Sequence, residues 1–384
     1  MASALERLKV VDLSNHLSGP YCAMLLADHG ADVIKVERPG SGDDARKMPP
    51  FIGGESAPFM IWNRNKRSVV IDVKSEAGKA ELMRLIDDAD VLIENFRPGT
   101  LQRLGLGWPV LKARNPRLIY AAISGFGQTG PYRDRGGFDL VTQGMSGLMS
   151  VCGPKDGPPH RLPIAISDMA AGMHLAIGIL LALEARHHTG VGQLVETSLL
   201  ESALCFGVYE AAHVAANGTT PPRLGQAHRG TSPYQVFPTA DGWITVGAAQ
   251  DNFWISLCQT LGVPQLSKDP RFASNGDRVR NNDALVALLE EQFRAKPSAH
   301  WLAALARVGI PSGPVLEFDQ AMADPHVVAR GMAVDTEHPA AGRVRTLGIP
   351  VKLSDTPGGL RRPAPRLGEH TAEVLEGRAE RKRA

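Results

Sequence analysis

The chain has 384 residues, 43% hydrophobic and 21% charged, which suits a globular protein with core for two or three domains. Its 42 basic and 40 acidic residues leave a net charge of +2, so global charge points to neither a nucleic acid nor a membrane as partner. Four cysteines (Cys22, Cys152, Cys205, Cys258) lack metal or disulfide spacing and no basic-then-apolar leader opens the chain, so no metal, no secretory signal and a cytoplasmic location are expected.

Lys9 to Leu13 reads as a buried strand, Gly19-Pro20 opens a helix that Gly30 ends, and Ala31 to Glu37 is the next strand. Strand, helix and strand in so short a span make a βαβ unit and imply a parallel sheet. The connecting SNHLSGP is not G-x-G-x-x-G, so the dinucleotide fingerprint is absent. The pattern repeats with a strand over Ser68–Val73, a helix over Ser75–Asp88 and a strand over Val91–Ile93. Short helices over Thr100–Leu104 and Pro109–Arg114 then lead to a strand over Leu118–Ser124. In such a doubly wound, Rossmann-like layout the ligand lies beyond the strand C-termini. The loops there are Ser14–Pro20, Glu37–Arg46, Glu94–Gly99 and Ser124–Gly137.

Next, the apolar, strand-like run PIAIS leads into Asp168 and a helix that is apolar on nearly all sides, hence expected to be buried. Its apolar run, Ala170 to Leu183, contains His174 and is too short for a bilayer span. Asp168 at the mouth of this helix has the plain reading of an N-cap. His187-His188 near its end read as C-terminal capping and not as metal ligands. A strand over Leu194–Thr197 and a helix over Ser198–Ala216 complete the first part of a large domain, 1–216. Residues 217–230 have linker composition, and 231–310 read as a smaller α+β domain whose Ala240-Asp241-Gly242 marks a hairpin. Residues 311–324 form a second linker and 325–384 return to the large domain. The basic end RAERKRA, 378–384, reads as a solvated terminus.

Taken in order, LSGPYCAMLLADHGADVIKVERPGSGDDAR, NRNKRSVVIDVKSEAGK, ENFRPGTLQRLG, the Asp168 segment with GMHLAIGILLALEARHHTGVGQ, IPSGPV and LGEHT resemble the class III CoA-transferase family over nearly the whole chain. The resemblance implies an α/β fold: a Rossmann-like large domain with a parallel sheet plus a smaller α+β domain, in a ring-shaped subunit that interlocks with a second copy. It also implies that Asp168 is the nucleophile. An ionised carboxylate attacks the donor thioester and yields a mixed anhydride and CoA thiolate. The thiolate then attacks the aspartyl carbonyl, leaving an aspartyl-CoA thioester that the acceptor acid resolves in reverse. A helix N-terminus would favour the ionised form.

By the same resemblance Arg38 and Arg103, residues Ile71, Asp72, Val73 and Lys74, and Asn95, Phe96 and Arg97 contact CoA, while Gly136 to Asp139 lie along its pantetheine. Arginine suits phosphate geometrically. Asp139 stands where formyl-CoA transferases carry Glu, and a loop-capping role stays open beside the binding one. Lys66-Arg67 and Arg133 to Arg135 add positive charge near the crevice. His16, Leu17 and Ser18 fall near the acyl group. Formyl-CoA transferases have Gln at the position of Leu17 and a glycine-rich loop where Arg229–Pro233 lies here, so an acid larger than oxalate is expected. Arg46, His228 and Arg229 are candidates to hold its second carboxylate. Overall similarity favours succinyl-CoA as donor and a dicarboxylate as acceptor, with CoA a substrate and no tightly bound cofactor. The alternatives are a CoA-binding module without turnover and a 2-methylacyl-CoA racemase. The racemase needs an acid/base pair, and its histidine position holds Phe138 here.

Overall fold

The computed structural model describes residues 2–381, with side chains to residue 376, so the side chains of the basic segment at 378–384 lie outside the described residues. Two compact units emerge. One comprises residues up to 149, 161–217 and 323 onward; the other comprises 150–160 and 218–322. The segment 150–160, expected in the first domain, folds with the second unit. Arg223 ties it there by donating to the carbonyls of Gly157 (2.7 Å) and Ser150 (3.2 Å).

The first unit is built on β1 (Lys9–Asp12), α1 (Ser18–Asp28), β2 (Asp32–Glu37), β3 (Lys66–Val70), α2 (Glu76–Asp87), β4 (Val91–Glu94), β5 (Ile119–Ser124), α3 (Asp139–Met145), α4 (Ile166–Thr189) and β6 (Leu194–Ser198). The six strands form one sheet in the order β3-β2-β1-β4-β5-β6, every pairing parallel. This order reverses direction between β1 and β4, the place where ligands of doubly wound sheets bind. The strands are short and apolar because both sheet faces are covered. On one face α1 and α4 pack Cys22, Leu26, Leu175 and Ile179 against Val10, Val33, Ile93 and Ile119. On the other, Leu82, Leu85 and Ile86 of α2 cover Val11, Ile34, Val69 and Leu92.

Several elements differ from expectation. The third strand is Lys66–Val70, earlier than the expected 68–73, because the chain leaves the ladder once the Ile71 N–H has bonded Glu37 O. The 198–216 helix breaks at Gly207 into Leu199–Leu204 and Val208–Asn217. PIAIS forms no strand, and α4 begins at Ile166 and runs 24 residues to Gly190, a left-handed C-cap whose N–H bonds Arg186 O. By length and composition this helix could cross a membrane, where the sequence reading held its apolar run too short. Nor is it buried on all sides. Ala171, Leu175, Ile179 and Ala182 lie in the core, while Ile177, Leu180 and Leu181 are exposed. His187 and His188 face Glu184 of their own helix and do not cap it.

The second unit carries an antiparallel sheet of β7 (Tyr234–Pro238), β8 (Trp243–Gly247) and β9 (Ser312–Pro314). Its separate core holds Phe237, Ile244, Trp254, Phe272, Phe293 and Trp301.

Candidate active site

Asp168 is the third residue of α4, not its N-cap. The N-cap is Ala165, which provides no side-chain acceptor. That work passes to another helix. Asp139, the first residue of α3, accepts the Ser167 N–H through Oδ1 (3.0 Å) and Gln143 Nε2 through Oδ2 (2.8 Å). Gln143 is fully buried. Its Nε2 also reaches the carbonyls of Leu162 and Ile164 (both 3.2 Å), and its Oε1 takes the Leu162 N–H (2.9 Å). The chain before Asp168 is thus shaped by an Asp–Gln pair one helical turn apart. Of the two readings of Asp139, the structure exhibits the capping one, with α4 as the helix capped.

The Asp168 carboxyl is half-buried, and the hydroxyl and backbone N–H of Ser18, the first residue of α1, act on it in favour of the ionised form. Glycine lets α4 approach α1 here. A Cβ at Gly172 would stand 2.7 Å from the Ser18 carbonyl oxygen and 3.0 Å from Tyr21 Cδ1. Burial and the nearby charge of Asp139 push the Asp168 carboxyl up to about 6, against the smaller opposing effect of the Ser18 hydroxyl and N–H. The helix N-terminus therefore does not dominate, contrary to expectation: desolvation and a like charge outweigh it. The group is still largely ionised above neutral pH, and it is less hydrated than an exposed carboxylate.

The loop from β1 to α1 is held by charges with no exposed surface. Asp12 accepts the Ser14 N–H (3.0 Å) and the Ser14 hydroxyl. Lys35 Nζ donates to Ser14 O (2.9 Å) and pairs with Asp43 (2.8 Å). Asp43 Oδ1 takes the N–H of His16 (2.9 Å), a residue in left-handed conformation with φ 62°. Lys66 Nζ donates to Asp12 (3.0 Å), Pro20 O (2.8 Å) and Asn63 Oδ1 (2.8 Å). Burial strips Lys66 of basicity, to about 8, even against the pull of Asp12. Lys35 goes the other way, because Asp43, Asp12 and Glu37 together outweigh its burial. Lys66, expected to add charge to the crevice, is thus wholly interior, and Arg67 pairs with Asp32 and Glu373.

The remaining candidates divide by what their side chains touch. Asn95 does not point outward. Its Oδ1 accepts the Asn15 N–H (2.8 Å), and its Nδ2 donates to Asn15 O (2.7 Å) and Ser18 Oγ (3.3 Å), bridging the β1 and β4 loops at the switch point. Ile71 is buried in the core and Val73 packs against it, while Asp72 and Lys74 are exposed. Phe96 also packs against that core. Arg97 and Arg103 are exposed, Arg103 within 3.2 Å of Thr100 Oγ1. Arg38 is exposed and pairs with Asp44 (2.6 Å). Leu17 is the N-cap of α1, and His16 lies 3.8 Å from Asp44. Arg46 is mostly enclosed; it grips Glu37 with two bonds of 2.7 Å and stacks 3.8 Å over Phe59, a structural tie. Arg133 and Arg135 are exposed on the loop before α3. His228 and Arg229 belong to the second unit, where they line a cavity of about 350 Å³ with Lys155, Arg280 and Asn282. Among the described residues no group of three His, Cys, Asp or Glu side chains could hold a metal. Sequence reasoning missed Gln143, for which the Asp139/Gln143 spacing on one helix face was the available signal.

Residues 5–371 match the family model described as CoA-transferase family III. An acetyl-CoA:oxalate CoA-transferase from Acetobacter aceti is 40% identical, covering 96% of this chain and 94% of its own. A succinyl-CoA:glutarate CoA-transferase from Homo sapiens is 37% identical over 97% of this chain and 85% of its own. Among solved structures, a CAIB/BAIF family protein from Brucella suis superposes with a TM-score of 0.90 at 40% identity, covering 99% of this chain and all of that one. Fold, motifs and full-length similarity agree: the chain belongs to CoA-transferase family III.

Proposed function

We propose that this CoA-transferase moves CoA from an acyl-CoA, with succinyl-CoA the preferred donor, to a small carboxylic or dicarboxylic acid through anhydride and thioester intermediates on Asp168. The observation that carries the reading is the carboxylate itself. It sits beyond the sheet's C-terminal edge, ionised at working pH and partly stripped of water, at the end of a helix turn tethered by Asp139. A desolvated carboxylate gains nucleophilicity. Arg38, Arg97 and Arg103, exposed on the loops of the same edge, are the proposed phosphate anchors, with Asp72 and Lys74 at the adenosine end. Similarity to enzymes named for oxalate and for glutarate supports a dicarboxylate as acceptor.

The test is to trap the intermediate. The enzyme is incubated with succinyl-CoA alone and quenched with hydroxylamine, and its peptides are mapped by mass. A hydroxamate on the Asp168 peptide is expected. CoA transfer that proceeds while this peptide stays unmodified overturns the assignment. A screen of oxalate, glutarate, mesaconate and citramalate as acceptors then names the acid.

Asp139 offers a pH test. The nucleophile must be ionised, so activity is present above the Asp168 value of about 6 and lost as pH falls through it. Asp139→Asn keeps an oxygen for the Ser167 N–H and removes the like charge, which lowers the Asp168 value. The acid limb of kcat/KM is expected to move to lower pH, measured from about pH 4.5 to about pH 8. A limb that stays in place would mean that Asp139 does not act on the nucleophile by charge.

Self-association belongs to the same proposal. Ile177 and Leu181 on α4 and Val208 and Tyr209 on the following helix are apolar and more than half exposed, as a face covered by a second copy would be. We infer an interlocked homodimer of ring-shaped subunits, to be checked by light scattering. The four cysteines are all free thiols, which supports placing the enzyme in the cytoplasm.

A further inference from the structure

Asp12, Asp28, Glu37 and Asp43 are buried carboxylates, and each has its cation: Lys66 at 3.0 Å, Arg64 at 2.7 Å, Arg46 at 2.7 Å and Lys35 at 2.8 Å respectively. Glu94, at the C-terminal end of β4, is different. It is 5% exposed, and among the described residues no cation pairs with it. Its carboxylate meets two uncharged donors. Oε2 accepts the Phe96 N–H (2.7 Å), and Oε1 accepts the hydroxyl of Tyr120 on β5 (3.4 Å), a ring that stacks on Trp108 at 6.0 Å between centres. Burial outweighs both donors and pushes the carboxyl up to about 7. A buried carboxylate without a cation weakens a fold, so stability does not explain Glu94.

The residues that follow show what the bond to Phe96 does. Asn95 turns to the loop between β1 and α1, where its amide bonds both the N–H and the carbonyl of Asn15 (2.8 and 2.7 Å). Phe96 packs against the core beneath α2. Arg97 emerges exposed and reaches the loop after β5, where a Cβ at Gly136 would stand 3.0 Å from its Nη2. Three consecutive side chains thus go to three places at the switch point of the sheet. The backbone N–H at the middle of them is the one that Glu94 holds.

We propose that Glu94 is a positioning residue for the acyl-CoA: by accepting the Phe96 N–H it fixes the turn that sends Asn95 to the β1 loop and Arg97 to the ligand, so that the binding loop is formed before the thioester arrives. This rests on the loops of this edge holding the acyl-CoA, with Arg97 among its phosphate anchors. A loop already in shape spares the ordering cost that association otherwise meets. Glu94 acts through the loop and takes no part in the bond-making steps, so its contribution is to binding and not to turnover.

The test uses the full-length enzyme with succinyl-CoA and the acceptor found by screening. Glu94→Leu removes the acceptor and leaves an apolar side chain in an apolar setting. It is expected to raise KM for succinyl-CoA roughly 10-fold or more, as loss of a bond to a charged acceptor does. Its kcat is expected within about 2-fold of the wild type, the pattern of binding lost equally from ground and transition states. Glu94→Gln keeps an oxygen for the Phe96 N–H and is expected to bring KM back to within about 3-fold of the wild type. An unchanged KM in Glu94→Leu, a fall in kcat in place of the rise in KM, or a Gln variant as impaired as the Leu variant overturns the proposal. One measurement needs no variant. In the ligand-free wild type the Phe96 amide is expected to be protected from hydrogen exchange, and an unprotected amide there also overturns it. Arg97→Ala separates the two claims. A raised KM in Arg97→Ala beside an unchanged KM in Glu94→Leu sinks the role of Glu94 alone, whereas an unchanged KM in Arg97→Ala sinks this loop as an acyl-CoA site.

Discussion

Asp168→Asn is expected to abolish CoA transfer, by at least roughly 10³-fold, while making the protein more stable at neutral pH. The two effects share a cause. The folded state holds this carboxyl at about 6 against an ordinary value of 3.8. A group whose folded value is raised binds its proton more tightly in the folded state, so ionising it weakens the fold. The penalty is absent below the unfolded value and fully present above the folded one. Asparagine keeps the shape and carries no charge. The expected gain is on the order of 2 kcal/mol at pH 7.5, shrinking to nothing below about pH 4. Thermal unfolding of both proteins at the two pH values measures it. Equal stability at both would show that Asp168 is not held under desolvation.

Lys66→Met is expected to cost about 3–5 kcal/mol, because it breaks a buried ion pair on one side only. Asp12 would keep Lys35 at 3.9 Å as its remaining cation, and Pro20 O and Asn63 Oδ1 would each lose a donor. The loop that leads into α1 hangs from Asp12 through Ser14, so activity should fall along with stability. A lower urea midpoint checks the first effect and residual kcat at low temperature the second. Combining Lys66→Met with Asp12→Asn removes both charges and should recover part of the loss. A single variant as stable as the wild type would mean that the cluster is not what anchors the loop.

Much of the first unit is legible because its physics is local. Apolar runs of strand length alternate with amphipathic helices, and that alternation alone implies a parallel sheet with its loops at one edge. Asp168 is legible as a carboxylate at a helix start. Its true position, inside the first turn, is not, because the cap is provided by Asp139, 29 residues earlier, through a bond that no local pattern records. Lys66 misleads for a similar reason: on the page a lysine beside an arginine looks like surface charge, and only the sheet buries it against Asp12. Asn95 lies in a loop motif that suggests ligand contact, yet its amide bonds the backbone of Asn15, 80 residues away. The exposed face of α4 was hidden by composition, since an apolar helix reads the same whether its outer side meets a core or a partner.

Glycine within a helix is ordinarily a weakness, about 1 kcal/mol worse than alanine, and its replacement is a standard route to stabilisation. Gly172 lies one turn beyond Asp168, where any side chain would press on the Ser18 carbonyl. A helix improved there would push α1 outward and carry Ser18 away from the carboxylate. Engineering this enzyme for heat resistance therefore has to leave its most apolar helix imperfect at that residue. The flaw in helix propensity is what lets these two helices meet so closely.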